Sequence, residues 1–123
     1  MRRPSEAPEI SVVICTRDRS DYLASCLRGM ERQSLASSRF EVHVVDNGST
    51  DATPSRTAEF TARNAQFHYH REPRVGLSIA RNAGARMSRA DLIAYIDDDA
   101  VPDPTWLERL CERFRRYVPL IEM

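Results

Sequence analysis

Three consecutive acids, Asp97-Asp98-Asp99, close a short apolar run, Leu92-Ile93-Ala94-Tyr95-Ile96. Carboxylates about 5 Å apart repel by roughly 3 kcal/mol at an effective dielectric of 20, so three in a row need wide solvation or a cation. A divalent ion suits them, because Mg2+ and Mn2+ prefer oxygen, keep one or two carboxylates, and leave the other positions to water and phosphate oxygens. The plain alternative is a solvated acidic turn. Two other loops weigh against it: Thr16-Arg17-Asp18-Arg19-Ser20 and Asp46-Asn47-Gly48-Ser49-Thr50-Asp51 also follow apolar runs, and both carry Asp and hydroxyls. Other residues invite chemistry on thinner grounds. His68 and His70, two apart, could share a metal, but no third ligand has a recognisable spacing, so a polar strand edge is the simpler reading. His43 reads as a satisfied strand residue and Trp106 as core. Asp51 either caps a helix or touches a ligand. The cluster Arg109, Arg113, Arg115 and Arg116 reads as a solvated face, or as a contact for anionic lipid.

The elements that must position these loops alternate. Ile10 to Cys15 and Phe40 to Val45 are β-rich and almost wholly apolar, as central parallel strands are. Phe67 to His70 and Leu92 to Ile96 are shorter strand runs. Between them, Tyr22, Leu23, Cys26, Leu27 and Met30 space as a helical stripe with Ser20 as its N-cap. Pro54 opens a second helix reaching about Ala65, Leu77 to Met87 reads as a third, and Trp106, Leu107, Leu110, Cys111 and Phe114 mark a last helix that Pro119 stops. Alternating strand and helix predicts an α/β, Rossmann-like, mostly parallel sheet with helices on both faces. In such sheets ligands bind beyond the carboxyl ends of the strands, where strand order reverses. The three acid-bearing loops lie at those ends.

Composition bounds the reading. The chain has 123 residues, enough for one core, and 18 basic against 18 acidic residues, a balance unlike that of a basic nucleic-acid binder. Every basic residue is Arg, and the absence of Lys removes the P-loop and Schiff-base chemistry. Cys15, Cys26 and Cys111 form no CxxC pair and read as reduced thiols of a cytoplasmic protein. Residues 1–9 read as a disordered leader without the apolar core of a signal peptide, residues 10–118 as the folded unit and 119–123 as a tail.

Four motifs in series resemble a known family: Val12-Val13-Ile14-Cys15-Thr16-Arg17-Asp18-Arg19, Val44-Val45-Asp46-Asn47-Gly48-Ser49-Thr50-Asp51, Gly76-Leu77-Ser78-Ile79-Ala80-Arg81-Asn82-Ala83-Gly84 and Tyr95-Ile96-Asp97-Asp98-Asp99. In order and spacing they are similar to the nucleotide-binding half of family 2 glycosyltransferases. The resemblance implies a GT-A fold that binds a nucleoside-diphosphate sugar through Mn2+ or Mg2+ and transfers the sugar with inversion to a saccharide, lipid or protein acceptor. It places Thr16 and Arg19 against nucleobase and ribose, Asp46 on the base, Asn47 and Asp98 among the donor contacts, and Asp97 at ribose or sugar. Asp99, with Asp97, would hold the metal, and Arg81 and Asn82 would meet the diphosphate or donor sugar.

The resemblance also implies a general base in a second, acceptor-binding half that follows the acids, so no catalytic residue is expected in this chain. Two other readings stand beside the transferase: a donor-binding module without transfer, and an aspartyl phosphatase of the haloacid dehalogenase type with Asp97 as nucleophile and Asp99 as acid/base. A sheet truncated after the Asp-x-Asp strand and its following helix leaves an edge and an apolar face for a partner chain or a second copy to cover. Marginal stability is therefore expected, with binding of an apolar dye in the native state. A sharp, reversible unfolding transition with no dye bound by the native protein would contradict it.

Overall fold

Strands with no polar face to offer water pack on both sides, and the apolar runs form such a sheet. The computed structural model describes residues 7–122, with side chains through Arg116. Strands β1 (Ile10–Thr16), β2 (Phe40–Asp46), β3 (Phe67–Arg71) and β4 (Leu92–Tyr95) form one parallel sheet in the order β3-β2-β1-β4. Helices α1 (Ser20–Glu31), α2 (Thr53–Arg63), α3 (Leu77–Met87) and α4 (Trp106–Glu122) lie between and after the strands. The chain lays down β1, β2 and β3 in one direction and then returns across β1 to place β4, so strand order reverses between β1 and β4.

The two-residue period of a strand divides the core. Ile10, Val12 and Ile14 face one side, where they meet Leu23, Leu27 and Met30 of α1, Phe60 of α2 and Leu107 and Cys111 of α4. Val13 faces the other, packing with Val45 of β2 and Ala80 and Ala83 of α3. Each fully buried aliphatic side chain contributes roughly 1.5–3 kcal/mol. Small residues let α3 approach closely: a Cβ at Gly84 would stand 2.4 Å from Val13 Cγ1. β4 is less enclosed, with Leu92, Ile93 and Ala94 half-buried, Tyr95 exposed and no described strand on its outer edge.

Three local expectations change. Ser20 is the first residue of α1 rather than its cap, and its N–H points at Asp51 Oδ2 (3.3 Å) from the loop after β2. Helix α4 runs through Pro119 to Glu122 rather than stopping at the proline. The leader falls outside the described residues up to position 6. Glu9 is tied down, its N–H donating to the Arg39 carbonyl (2.7 Å) and its carboxylate pairing with Arg39 and Arg115.

At the amino ends of the strands, on the α3 face, lies a buried polar network. The Glu41 carboxylate is fully buried and accepts from Ser11 Oγ (2.6 Å), the Arg89 N–H (2.8 Å) and Arg89 Nε (2.9 Å). His43 Nε2 lies 2.9 Å from Glu41 Oε2 without hydrogen-bond alignment, while His43 Nδ1 and His70 Nε2 are 2.9 Å apart. The His43 ring stacks between those of His68 and His70, each centroid 5.1 Å away. Burial alone would raise the Glu41 pKa, but the bonds from Ser11, the Arg89 backbone and the Arg89 side chain, with the His43 ring close beside the carboxylate, outweigh it and hold the group down at about 2. Burial, then the charge of His43, lowers the pKa of both His68 and His70.

Acid should therefore weaken the fold in two windows. A lowered histidine pKa means the folded state prefers neutral rings, so that contribution is complete above the ordinary value of about 6.5 and fades as pH falls through the lower folded values. The Glu41 contribution, roughly 3 kcal/mol, is complete above about pH 4.5 and fades toward about 2. Denaturant unfolding followed against pH should show both losses. His68→Gln with His70→Gln should remove the first, and Glu41→Gln the second together with a general loss of stability. A stability flat from pH 7 to 5 in the wild type would refute the histidine assignment.

Candidate functional site

Register alone brings the acids to the switch point. Tyr95 pairs with Val13, and the Ile96 N–H continues the ladder to the Val13 carbonyl (3.2 Å), so the chain beyond β4 runs beside the end of β1. Three residues on, Asp98 meets Thr16, whose hydroxyl donates to Asp98 Oδ2 (2.9 Å). The alternation of the strand persists past its end. Asp98 is turned back and 6% exposed, while Asp97 and Asp99 on either side are exposed. Burial pushes the Asp98 carboxyl up, and Thr16 and Arg19 oppose that shift.

A cavity of about 380 Å³ opens here, lined by Cys15, Thr16, Arg17, Arg19, Asn47, Val75, Gly76, Leu77 and all three acids. Arg19 spans the acids, with Nη1 3.3 Å from Asp98 Oδ1 and Nη2 3.4 Å from Asp99 Oδ2, and its guanidinium sits 4.8 Å from the centre of the Tyr22 ring. The loops that form the walls are locked to each other. Asp18, at φ 53°, accepts from the N–H groups of Thr50 (2.7 Å) and Asp51 (3.2 Å), and its own N–H donates to Ser49 Oγ (2.9 Å). Positive φ is uncommon outside glycine, and Asp is among the residues that tolerate it. Asp51 caps the start of α2 through the Thr53 N–H (3.0 Å).

The residues expected to bind a donor fall into two groups. Thr16, Arg19, Asp97, Asp98 and Asp99 come together at the cavity, as does Asn47. The amide of Asn47 is already engaged: Nδ2 donates to the carbonyls of Glu72 (2.9 Å) and Arg74 (2.8 Å), and Oδ1 accepts from the Gly76 N–H (2.9 Å). It holds the loop leading into α3. Asp46 stands apart from the cavity: it does not line it, is fully buried, and accepts from the Ser49 N–H (2.8 Å), Tyr69 Oη (2.6 Å) and Arg71 Nη1 (3.3 Å). Arg81 lines a second cavity of about 360 Å³ with Tyr95, Asp97 and Trp106. Asn82 is exposed on α3 and lines neither cavity.

Trp106 is half-buried and packs on the core while edging the second cavity. The thiols are chemically quiet: burial pushes up Cys15 and Cys111, and Cys26 is pushed to about 12 by burial and by Asp98, Asp99 and Asp97. Sequence reasoning missed Asp18 and the pair Tyr69 and Arg71. Asp18 sits inside a quoted motif, and its type at a strand-to-helix turn was the available signal. Tyr69 and Arg71 alternate along β3 toward the α1 face, but nothing local announces their partner.

Among the described residues, no three His, Cys, Asp or Glu side chains converge as a metal cage. Asp97 and Asp99 instead offer hard oxygens to an open cavity, the donor set of a Mg2+ or Mn2+ ion that completes its shell with water and phosphate.

Residues 11–121 match the family model described as Glycosyl transferase family 2. Glycosyltransferase AglE of Haloferax volcanii is 34% identical over 106 residues, 85% of this chain and 35% of that protein. Validoxylamine A glucosyltransferase of Streptomyces hygroscopicus subsp. jinggangensis is 33% identical over 105 residues, 85% of this chain and 25% of that protein. The chain thus spans only a quarter to about a third of these relatives. Among solved structures, S. aureus TarS 1-349 in complex with UDP superposes with a TM-score of 0.82 at 20% identity, covering 89% of this chain and 32% of that one. The mannosyltransferase PcManGT of Pyrobaculum calidifontis, in complex with GDP-Man and Mn2+, gives 0.78 at 23% identity, covering 94% and 34%.

The division between anchoring and cavity-facing acids is open to a direct check. Asp46→Asn removes a buried charge that satisfies three donors and should cost about 2 kcal/mol of unfolding free energy. Asp97→Asn, at an exposed position beside like charges, should stay within about 0.5 kcal/mol of wild type. Equal costs in denaturant unfolding would show that Asp46 is no anchor.

Proposed function

We propose that this chain, which belongs to glycosyltransferase family 2, holds the nucleoside diphosphate of a sugar donor at the carboxyl ends of β1, β2 and β4. The observation that carries this is the convergence of Thr16, Arg19 and the three acids on one open cavity at the strand-order reversal. Its volume, about 380 Å³, lies within the range of small-ligand sites. The solved structures with UDP and with GDP-Man and Mn2+ support a nucleoside-diphosphate sugar as the ligand class and a divalent ion as its companion.

Each residue then has a task. Thr16 holds Asp98 inward, so that Asp97 and Asp99 present oxygens to the cavity. When bound there, a Mg2+ or Mn2+ ion neutralises the diphosphate and the charge that grows on it as the sugar leaves. Arg17 and Arg19 line the cavity, Arg81 lines the neighbouring one that shares Asp97 with it, and the amino end of α3 opens onto the first at Gly76 and Leu77, so cations and a helix terminus both favour an anion. Groups that stabilise the departing diphosphate more than the bound donor lower the barrier.

Inverting transfer to a saccharide, lipid or protein hydroxyl further requires a base on the far side of the anomeric carbon. We assign that base to none of the residues of this chain, and therefore propose that transfer needs an acceptor-binding segment or partner. A donor-binding module without transfer is the second reading, consistent with the base being assigned to none of the residues of this chain. Family membership leaves the aspartyl phosphatase without support. The proposal places the chain in the cytoplasm, at a membrane periphery if the acceptor is a lipid. No described helix is long and apolar enough to cross a membrane.

Calorimetric titration with UDP and with GDP, each with Mn2+, should give metal-dependent binding to one of them. Asp99→Ala should weaken that binding by about tenfold or more, since a shared metal ion is worth several kcal/mol of charge stabilisation. A folded wild type that takes neither nucleotide would sink the donor-site assignment.

A further inference from the structure

Arg19 occupies an unusual position for a residue expected to lie against a nucleoside. Its fork bridges two successive carboxylates, Asp98 at 3.3 Å and Asp99 at 3.4 Å. Asp98 has a second partner in Thr16, whereas the Asp99 side chain has no other partner among the described residues. The guanidinium therefore supplies the positive charge that a divalent ion on Asp99 would supply. The contact is one that can open: Arg19 is 43% exposed and Asp99 48%, and half-exposed ion pairs are individually weak. The face of Tyr22, 4.8 Å from the guanidinium, gives Arg19 a surface to rest on whether or not it holds the acid. Arg19 also lines the cavity, within reach of whatever anion fills it.

We propose that Arg19 is a displaceable counter-cation, holding Asp99 in the ligand-free protein, yielding it to an arriving divalent ion, and turning its fork to the diphosphate of the nucleotide that follows. Metal and nucleotide then bind cooperatively through one side chain. Metal binding pays a competition cost to free Asp99, and nucleotide binding gains a bidentate phosphate contact that Arg19 cannot make while it bridges the acids. This rests on the donor-site reading and adds to it an order of events and a reason for coupling.

The two ligands should respond to Arg19 in opposite directions. With Mn2+ alone, followed by the electron paramagnetic resonance of the free ion, Arg19→Ala should bind metal about three- to fivefold more tightly than wild type, the factor expected when a weak competing pair is removed. In saturating Mn2+, calorimetry should show the same variant binding UDP or GDP, whichever the wild type takes, about tenfold more weakly. Arg19→Lys, which keeps the charge without the fork, should lie between, and it guards against a variant that merely misfolds. Parallel weakening of metal and nucleotide, or Mn2+ affinity unchanged in both variants, would overturn the proposal. A wild type that binds neither Mn2+ nor nucleotide would instead bring down the donor-site reading beneath it.

Discussion

The parallel pairing of β1 with β4 is the constraint on which the rest of the site depends. It is short, four residue pairs from Ile10 with Leu92 to Val13 with Tyr95, yet it sets what the following residues meet. A slip of one residue would reverse which side chains face the core, turning Asp98 outward and burying its two charged neighbours. Burying two carboxylates without partners is far costlier than burying one beside Thr16 and Arg19. The same physics that buries Leu92 and Ala94 on the α1 face thus sends Asp97 and Asp99 to the cavity.

The loops around the acids are held by other acids. Asp18 gathers the N–H groups of Thr50 and Asp51, Asp51 caps α2 and reaches the start of α1, and Asp46 gathers Ser49, Tyr69 and Arg71. Carboxylates do this well because each can accept several bonds and a charged acceptor strengthens them. A family 2 glycosyltransferase of the GT-A fold must keep the ligand side of its sheet polar, and rigid polar loops keep that polarity from becoming disorder. The opposite end of the sheet repeats the device with one buried carboxylate, Glu41, joining Ser11 on β1, His43 on its own strand and Arg89 after α3.

Much of the architecture was legible in the residues. The continuous apolar runs of β1 and β2, the helical stripe of α1 and the alternation of strand with helix follow from local periodicity, which the structure keeps almost to the residue. The gathering of three acid-bearing loops was legible too, since all three lie at the carboxyl ends of parallel strands. Less legible was how far a polar residue in a site loop is already engaged within the fold. The family resemblance makes Asp46 and Asn47 donor contacts, but Asp46 is held by β3 and Asn47, at the cavity wall, by the loop before α3. Ser20 was read as a cap because a hydroxyl preceded the apolar stripe, and a carboxylate from another loop took part of that task.

The sequence by itself determined which residues are apolar at which period, and with that the strands, the helices and the end of the sheet where chemistry belongs. Those properties are local, set by side-chain type and the repeat of the backbone. Only the tertiary structure decided which acid is turned inward, which cation stands on Asp99, and that three histidines from β2 and β3 stack into one cluster beside Glu41. Arg19 and Asp99 are 80 residues apart in the chain, and Asp46 and Arg71 are 25 apart. Such pairs are set by strand order and register, where burial on both faces of the sheet selects one arrangement and leaves each polar group to find its partner within it.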